Sequence, residues 1–227
     1  MESIPFLEAV GCLLYLSQVS RPDIAYAVNR VSSFSKSPSI EHWNTVKRIF
    51  RFLKGTLHWK LCFKNNSNSN LLGYSDADWA NCKDTRSSVT GSIFIKNDGP
   101  ISWFSKKQRS VALSTVEAEY IALSFSCQEA IWLRRLIYEL ENLREQRPVT
   151  IYCDNNGAIC IAKNRIISPR TKHIDVRHHF IRENIENNEI VVNHIGTQDM
   201  IADLLTKALP KQKFMYLVQK LGIAIDK

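Results

Sequence analysis

The sequence lacks the cysteine patterns that build disulfide frameworks and closed zinc sites. Its six cysteines are scattered over 227 residues, and no two of them form a C-x-x-C pair. The N-terminal stretch lacks the basic region of a signal peptide, and Glu8 and the polar run from Gln18 interrupt its apolar residues. No stretch is apolar for long enough to predict a membrane span. We therefore expect reduced thiols in a cytosolic or nuclear setting and a protein that is not secreted.

Negative charge is scarce in the first third of the chain. Residues 1–66 hold 9 Lys and Arg against 4 Asp and Glu, which accounts for +5 of the formal net charge of +8. A pI near 9.2 is typical of proteins with a polyanionic partner, although a basic balance alone is a weak indicator. The hydrophobic fraction of 44% is that of a globular protein with a real core.

The first third reads as a small helical module. Three stretches, FLEAVGCLLYL, PDIAYAVNRVSSF and IEHWNTVKRIFRFLKGT, repeat apolar residues at helical intervals, and Gly55 is a plausible helix stop. A strand-like HWKLCF follows. The polar tract from Asn65 to Asn70 has little means of packing and marks a predicted domain boundary after residues 1–66.

Beyond this tract the pattern predicts an α/β domain. LLGYSDADW, VTGSIFIKN and ISWFSKK read as three consecutive strands, and a long helix is predicted from Ser114 or Thr115 to about Asn142. The strands VTIYC and EIVVNHI then alternate with the helices NGAICIAKN and IDVRHHFIRENIEN, and a short helix follows. A meander that turns into alternating strand and helix predicts a mixed sheet with helices packed on it.

Four carboxylates stand in four of these segments: Asp76, Glu119, Asp154 and Asp203. Clustered acids repel one another and lose water, so they need a cation among them. A pair of Mg²⁺ ions about 3.5 to 4 Å apart, held by such a cluster, is the standard apparatus for hydrolysing a phosphodiester. The four acids therefore indicate a nuclease.

Two of these acids have a close competitor in the sequence. Asp76 and Asp78 point to the same face of their strand, so alternation cannot rank them. Glu119 lies on the apolar stripe of its helix, which includes Tyr120, whereas Glu117 lies on a polar one. A buried acid needs a reason, and a metal is a good one.

The other two acids also have a plain structural explanation. Asp154 follows an apolar strand and precedes a helix, where ligands collect in open α/β sheets, but the same position suits a helix N-cap. Asp203 shares a helical face with Asp199, which is better explained as a charge favoured by a helix dipole.

The ordered motifs resemble the C-terminal part of a copia-type LTR retrotransposon Pol polyprotein. GYSDADWA, TGSIFI, ISWFSKKQRSVALSTVEAEYIAL, YCDNNGAICIA, RTKHIDVRHHFIRE and MIADLLTKALP correspond to successive motifs of its ribonuclease H domain, over residues 71–215. The segment 1–66 resembles the reverse transcriptase thumb or connection just upstream, and residues 216–227 form a C-terminal helix or tail. The resemblance implies a ribonuclease H-like mixed five-stranded sheet flanked by helices.

The resemblance also implies the chemistry. Asp76, Glu119, Asp154 and Asp203 would be the catalytic metal ligands for two Mg²⁺ or Mn²⁺ ions. They would cut the RNA strand of an RNA/DNA hybrid during reverse transcription and leave a 3′ hydroxyl and a 5′ phosphate. His194 lies near the place where many ribonucleases H carry a histidine that assists proton transfer or product release. The histidines at 173, 178 and 179 fit no common zinc spacing, and we expect them to pack or to contact backbone.

Basic side chains are candidates for gripping the substrate, although a solvated surface is the commoner fate of Lys and Arg. Contacts of this kind with phosphates add affinity without reading sequence. The predicted nucleic-acid-binding residues are Lys106, Lys107, Arg109, Arg170, Lys172, Lys47, Arg51 and Lys54.

The chain departs from a complete polymerase. It has no Tyr-x-Asp-Asp turn, so we expect no polymerase activity. The implied partners are a hybrid and the palm and fingers of the same polyprotein, in cytoplasmic virus-like particles and also in the nucleus. The alternatives are a non-catalytic module that clamps hybrid or docks a polymerase, and an inactive polyprotein remnant. An integrase or resolvase on the same fold is a weaker competitor, because those enzymes usually use three acids in a different arrangement.

Overall fold

The computed structural model describes residues 4–65, 70–81, 85–163 and 175–225. The α-helices are α1 (Phe6–Val19), α2 (Ala25–Ser32), α3 (Ile40–Gly55), α4 (Thr115–Leu140), α5 (Asn156–Lys163), α6 (Asp175–Glu186) and α7 (Lys211–Lys220). The strands are β1 (Lys60–Leu61), β2 (Leu72–Asp78), β3 (Val89–Lys96), β4 (Gly99–Lys107), β5 (Val149–Cys153), β6 (Ile190–His194) and β7 (Ile223–Ala224). Within the described ranges, two 3₁₀ helices span Pro22–Ile24 and Ile201–Leu205.

The central sheet has five strands in the order β4-β3-β2-β5-β6. β3 is antiparallel to both β2 and β4, whereas β2, β5 and β6 run parallel to one another. This mixed sheet, with helices packed on it, confirms the predicted fold class. Because the carboxyl ends of parallel strands meet at one edge of a sheet, β2 and β5 bring their last residues together.

Two apolar layers cover the two faces of the sheet. On one face, Tyr120 and Leu123 of α4 pack with residues of α5 and α6 against β5 and β6. On the other face, the 3₁₀ helix Ile201–Leu205 and α7 pack against β3. The long helix α4 begins with the side chain of Ser114 accepting a hydrogen bond from the Glu117 amide, as its N-cap sequence predicts.

The N-terminal helices form their own apolar cluster and also contact the sheet. Phe6, Leu13, Val28 and Val46 pack together in that cluster. The Trp103 indole on β4 donates a 2.6 Å hydrogen bond to the Ser17 carbonyl, and the Asn29 amide donates a 2.8 Å bond to the Ser105 carbonyl. Trp59 lies in the same buried cluster as Ile201 and Leu204. The helical segment therefore supplies side chains to the core beneath the second 3₁₀ helix.

Gly91 on β3 allows the second 3₁₀ helix to lie directly on the sheet. It stands opposite Asp76 in the strand register. A Cβ at this position would come within 2.7 Å of Thr206 Cγ2 and 2.9 Å of the Ala202 carbonyl oxygen. The absence of a side chain at Gly91 thus permits the close approach of the segment that carries Asp203.

One predicted strand is much shorter in the structure. Only Lys60–Leu61 of HWKLCF is in a strand, and its partner is β7 near the end of the described chain. The division into a segment 1–66, a domain 71–215 and a tail 216–227 stays a prediction. None of the described helices combines the length and the apolar composition needed to cross a bilayer.

Candidate acidic metal centre

Three of the four predicted carboxylates form a compact cluster at the carboxyl edge of the sheet. Asp76 comes from β2, Glu119 from the second turn of α4, and Asp154 directly follows β5. One carboxylate oxygen of each lies within 4.8 Å of the others. Asp76 and Glu119 are buried, and Asp154 is half-buried. The cluster is therefore reached from the side of Asp154.

Asp203 lies next to this cluster but is joined to it through a lysine. The Lys207 ammonium is 2.7 Å from Asp203 Oδ1 and 3.4 Å from Asp76 Oδ2. A second lysine, Lys213, lies 2.5 Å from Asp203 Oδ2 and also donates to the Thr197 carbonyl. Asp203 is fully buried, and each of its carboxylate oxygens forms an ion pair with one of these two lysines.

Burial raises the pKa values of two of the clustered acids. The pKa of Asp76 rises to about 7, because desolvation and the negative charges of Asp203 and Asp154 outweigh the attraction of Lys207 and the Thr206 hydroxyl. The pKa of Glu119 rises to about 10, chiefly by desolvation and then by Asp76 and Asp154. A hydrogen bond from the Ala77 backbone opposes this rise only in part. The positive charge near Glu119 is therefore too small to offset the desolvation of its carboxylate.

The competing acids have other contacts that explain them. Asp78 accepts a hydrogen bond from the Asn81 amide, and the Glu117 carboxylate accepts a 2.7 Å bond from the Leu113 amide at the start of α4. Glu117 is nevertheless buried, contrary to its assignment to a polar stripe. The reason is that its carboxylate folds back onto the helix start, where the backbone satisfies it.

The helix-cap explanation for Asp154 does not hold. The cap of α5 is Asn155, whose side-chain oxygen accepts a 3.0 Å hydrogen bond from the Ala158 amide. Asp154 is thus left to face the cluster. Asp199, assigned to a helix dipole, instead contacts Tyr216 and Lys220 of α7. Their hydrogen bonds lower its pKa, and they account for this acid without a metal.

The histidines have different environments. His194 is exposed at the end of β6 and stands opposite Cys153 in the register, so it lies at the same sheet edge as Asp154. Its part in catalysis stays a prediction. His178 is buried beside Tyr120, and its Nδ1 lies 2.7 Å from the Arg182 guanidinium. Residue 173 lies outside the described residues.

The predicted basic residues fall into three groups. Lys106 and Lys107 end β4, and in the strand register Lys106 pairs with Thr90, which pairs with Ala77 beside the cluster. Arg109 follows them and is exposed. On α3 the predicted residues Lys47, Arg51 and Lys54 are all exposed, and so is Arg48. Two predicted residues, Arg170 and Lys172, lie outside the described residues.

Sequence reasoning missed several side chains near the centre. Lys207 and Thr206 both contact Asp76. The only sequence signal for either residue is the i, i+4 spacing from Asp203 to Lys207, which favours an ion pair between them. Arg177 and Lys106 both lie over the ring of Phe125, at 5.2 and 5.5 Å from its centroid. This basic and aromatic group extends the positive surface beyond the end of β4.

The described residues fit a divalent metal ion. Glu119 Oε2 is buried and has no hydrogen-bond partner among the residues that the structure describes. Such an atom is costly unless a cation satisfies it. An all-oxygen donor set, with one side open to water, suits Mg²⁺ or Mn²⁺ better than the softer metals. Asp76, Glu119 and Asp154 are the residues that would hold the ion.

The raised pKa values predict how the metal-free protein responds to pH. Both acids have a higher pKa when folded than when unfolded, so the folded state binds more protons between about pH 4 and these values. The contribution of these two acids to stability is therefore greatest in acid and is lost as the pH rises through about 7 for Asp76 and onward towards about 10 for Glu119. In EDTA we expect the free energy of unfolding to fall by roughly 1–3 kcal/mol from pH 6 to pH 8.

Urea denaturation at pH 6, 7 and 8 measures this slope. Glu119→Gln should flatten it, because the variant has no carboxylate to ionise, and saturating Mg²⁺ should reverse much of the loss. A metal-free protein whose stability is constant or rises over this range would contradict the prediction.

Comparisons with known proteins find relatives over nearly the whole chain. The described residues form a five-stranded mixed sheet with flanking helices and an acidic edge, which is the architecture that the resemblance to a ribonuclease H domain implied. The chain is 46% identical over 223 residues to the retrovirus-related Pol polyprotein from transposon TNT 1-94 of Nicotiana tabacum, a match that covers 98% of this chain and 17% of that protein. Over 94–98% of its length the chain is therefore similar to retrovirus-related Pol polyproteins from transposons. It spans only about a sixth of the length of such relatives.

Further matches differ in extent. The chain is 48% identical over 133 residues to the secreted RxLR effector protein 161 of Plasmopara viticola, a match that covers 59% of this chain and 94% of that protein. Among solved structures, LC11-RNase H1, isolated from compost, superposes with a TM-score of 0.45 at 17% identity and covers 60% of this chain and 92% of that chain. No protein-family model matches the sequence.

Proposed function

We propose that this chain is a divalent-metal-dependent endonuclease that hydrolyses the RNA strand of RNA/DNA hybrids during retrotransposon reverse transcription. The observation that carries the proposal is the convergence of Asp76, Glu119 and Asp154 within 4.8 Å at the carboxyl edge of the sheet. Two bound divalent ions would lower the pKa of an attacking water and stabilise the leaving 3′ oxygen. The similarity to retrovirus-related Pol polyproteins supports this reaction class for the region.

The residues of the chain would each supply a part of the site. Asp76 and Glu119, both buried, would hold an ion in a fixed position on β2 and α4, and half-buried Asp154 would hold it on the side that faces solvent. Asp203 would hold a second ion together with Asp76. His194, exposed at the same edge, would exchange protons with water near the leaving group.

The basic residues would position the hybrid over this edge. Lys106 and Lys107 end β4, two strands from β2, which is roughly 10 Å at the usual strand spacing. Phosphates of one strand of the duplex would contact this end of β4, with Arg109 close by. A preference for the RNA strand would come from 2′-hydroxyl contacts and groove shape rather than from base reading. The exposed face of α3 would add non-specific affinity through Lys47, Arg51 and Lys54.

The test is cleavage of a hybrid that carries separate labels on its RNA and DNA strands. We expect purified protein to cut the RNA strand with Mg²⁺ or Mn²⁺, to leave the DNA strand intact, and to stop when EDTA is added. Double-stranded DNA and single-stranded RNA are the matched substrates, and both should resist cleavage. Salt-sensitive binding without cleavage at any metal concentration would instead support a non-catalytic module that clamps the hybrid.

The partner proposed for the chain is the palm and fingers portion of the same polyprotein. The support is the size of the match, because the chain spans only 17% of the TNT 1-94 polyprotein. The basic helical segment would then lie between a polymerase and the nuclease and would contact the same duplex.

A further inference from the structure

The Lys207 ammonium occupies the space between two of the four acids. It contacts Asp203 Oδ1 at 2.7 Å and Asp76 Oδ2 at 3.4 Å, and both carboxylates are almost completely buried. The Lys207 side chain itself has a relative solvent exposure of 30%. It therefore enters the centre from solvent and places its charge where the two acids face each other.

The two halves of the acidic centre differ in how their charge is balanced. On the Glu119 side, Glu119 Oε2 has no hydrogen-bond partner among the described residues. On the Asp203 side, an ammonium group lies within 2.7 Å of each Asp203 oxygen, and this ion pairing is the difference between the halves, because Asp203 Oδ1, like Glu119 Oε2, has no partner at hydrogen-bond geometry among the described residues. A divalent ion can therefore enter the Glu119 side without displacing a cation, but an ion bridging Asp76 and Asp203 would meet the Lys207 ammonium.

We propose that Lys207 is a resident cation for the Asp76–Asp203 half of the centre, and that a second divalent ion binds there only by displacing it. The inference rests on the proposed function, because it concerns the same metal centre. Lys207 would act as a positioning residue: it holds the two acids together without metal and limits the occupancy of the second site. Its long, flexible and partly exposed side chain has room to move outward when the ion enters.

Lys213 provides a matched comparison within the same site. It carries the same charge and contacts the same acid, at 2.5 Å from Asp203 Oδ2, but on the side bonded to the Thr197 carbonyl. A general loss of positive charge would affect the Lys207 and Lys213 variants alike. Displacement from the gap beside Asp76 is specific to Lys207.

The experiment is calorimetric titration of the metal-free full chain with MnCl₂ and with MgCl₂, in the absence of nucleic acid. We expect the wild type to bind one ion more tightly than a second. In Lys207→Met the second ion should bind at least about tenfold more tightly, while the affinity of the first changes less than about threefold. Lys213→Met should change the second affinity by less than about threefold. Equal effects of the two variants, or an unchanged second affinity in Lys207→Met, would overturn the proposal.

A measurement on the wild type covers the case in which Lys207→Met does not fold. In protein labelled with ¹⁵N-lysine, the Nζ resonance of Lys207 is assigned by its absence from Lys207→Arg. We expect this signal to stay in place while the first Mg²⁺ binds and to shift as the second binds. A Lys207 signal that stays constant through saturation with two ions, or saturation with a single ion, would overturn the proposal.

The outcomes separate this inference from the proposed function. Ion binding as described, in a protein that never cleaves hybrid, would remove the nuclease proposal and leave the role of Lys207 standing. Cleavage of hybrid by a protein whose ion affinities do not depend on Lys207 would support the nuclease proposal and remove the role of Lys207.

Discussion

Asp154→Asn is expected to lower the rate of hybrid cleavage at saturating Mg²⁺ by at least about a thousandfold, which corresponds to roughly 4 kcal/mol of lost transition-state stabilisation. The amide keeps the shape of the carboxylate but removes the charge that would help hold the ion. Asp76→Asn should have an effect of similar size, because Asp76 contributes to both halves of the centre. The measurement is single-turnover cleavage of a labelled hybrid.

The matched controls are acids whose contacts have been explained without a metal. Asp78→Asn, Glu117→Gln and Asp199→Asn should each keep activity within about tenfold of the wild type, because their carboxylates contact Asn81, the Leu113 amide and α7 respectively. We expect that the loss in Asp154→Asn does not come from unfolding, because the substitution removes a negative charge that raises the pKa values of Asp76 and Glu119. Nearly unchanged cleavage by both Asp76→Asn and Asp154→Asn would defeat the proposed mechanism.

Trp59→Ala should destabilise the whole protein by about 3–5 kcal/mol, the usual cost of removing a buried tryptophan. Trp59 is 9% exposed and packs with residues of the second 3₁₀ helix and of α7. The Phe52 ring meets it edge-on at 5.6 Å, and the Arg21 guanidinium lies 5.6 Å from the centre of its ring. Removing the Trp59 side chain leaves a cavity between the N-terminal helical segment and the 3₁₀ helix Ile201–Leu205, which carries Asp203.

Thermal unfolding followed by circular dichroism and calorimetry measures this effect. The control is Trp132→Ala on α4, where the side chain is 56% exposed and a change within about 0.5 kcal/mol is expected. Because the cluster joins both parts of the chain, Trp59→Ala should lower the midpoint of one cooperative transition. A separate early transition, with the main one unmoved, would show that the helical segment folds independently.

The sequence predicted the elements whose signals are local. The alternation in β2 to β4 and the Ser114 cap of α4 depend on near neighbours, and the structure has these elements where the pattern predicts them. HWKLCF was predicted at full length because its composition is strand-like. Among the residues that the structure describes, its strand partner is β7, more than 150 positions away, and β7 pairs with just two of its residues.

The site was harder to predict than the fold, for the same physical reason. Helical periodicity placed Glu119 on a buried stripe and Glu117 on a polar one, but both side chains are buried, and what distinguishes them is that Glu117 accepts a hydrogen bond from the Leu113 amide whereas Glu119 joins the acidic cluster. Alternation could not separate Asp76 from Asp78, and the contact of Asn81 with Asp78 appears only in three dimensions. The contact of Lys207 with Asp76 joins residues about 130 positions apart in the chain, which no local pattern records.

Because of Gly91, the presence of the four carboxylates is not sufficient to judge whether a diverged copy of this sequence still folds into a working site. Every replacement of a glycine adds at least a Cβ, and here that atom would collide with Thr206 and with the backbone at Ala202. A copy that retains all four acids but has lost this glycine would carry Asp203 and Lys207 on a displaced segment. Intact genes and decayed ones are thus better distinguished by the acids and this glycine together than by the acids alone.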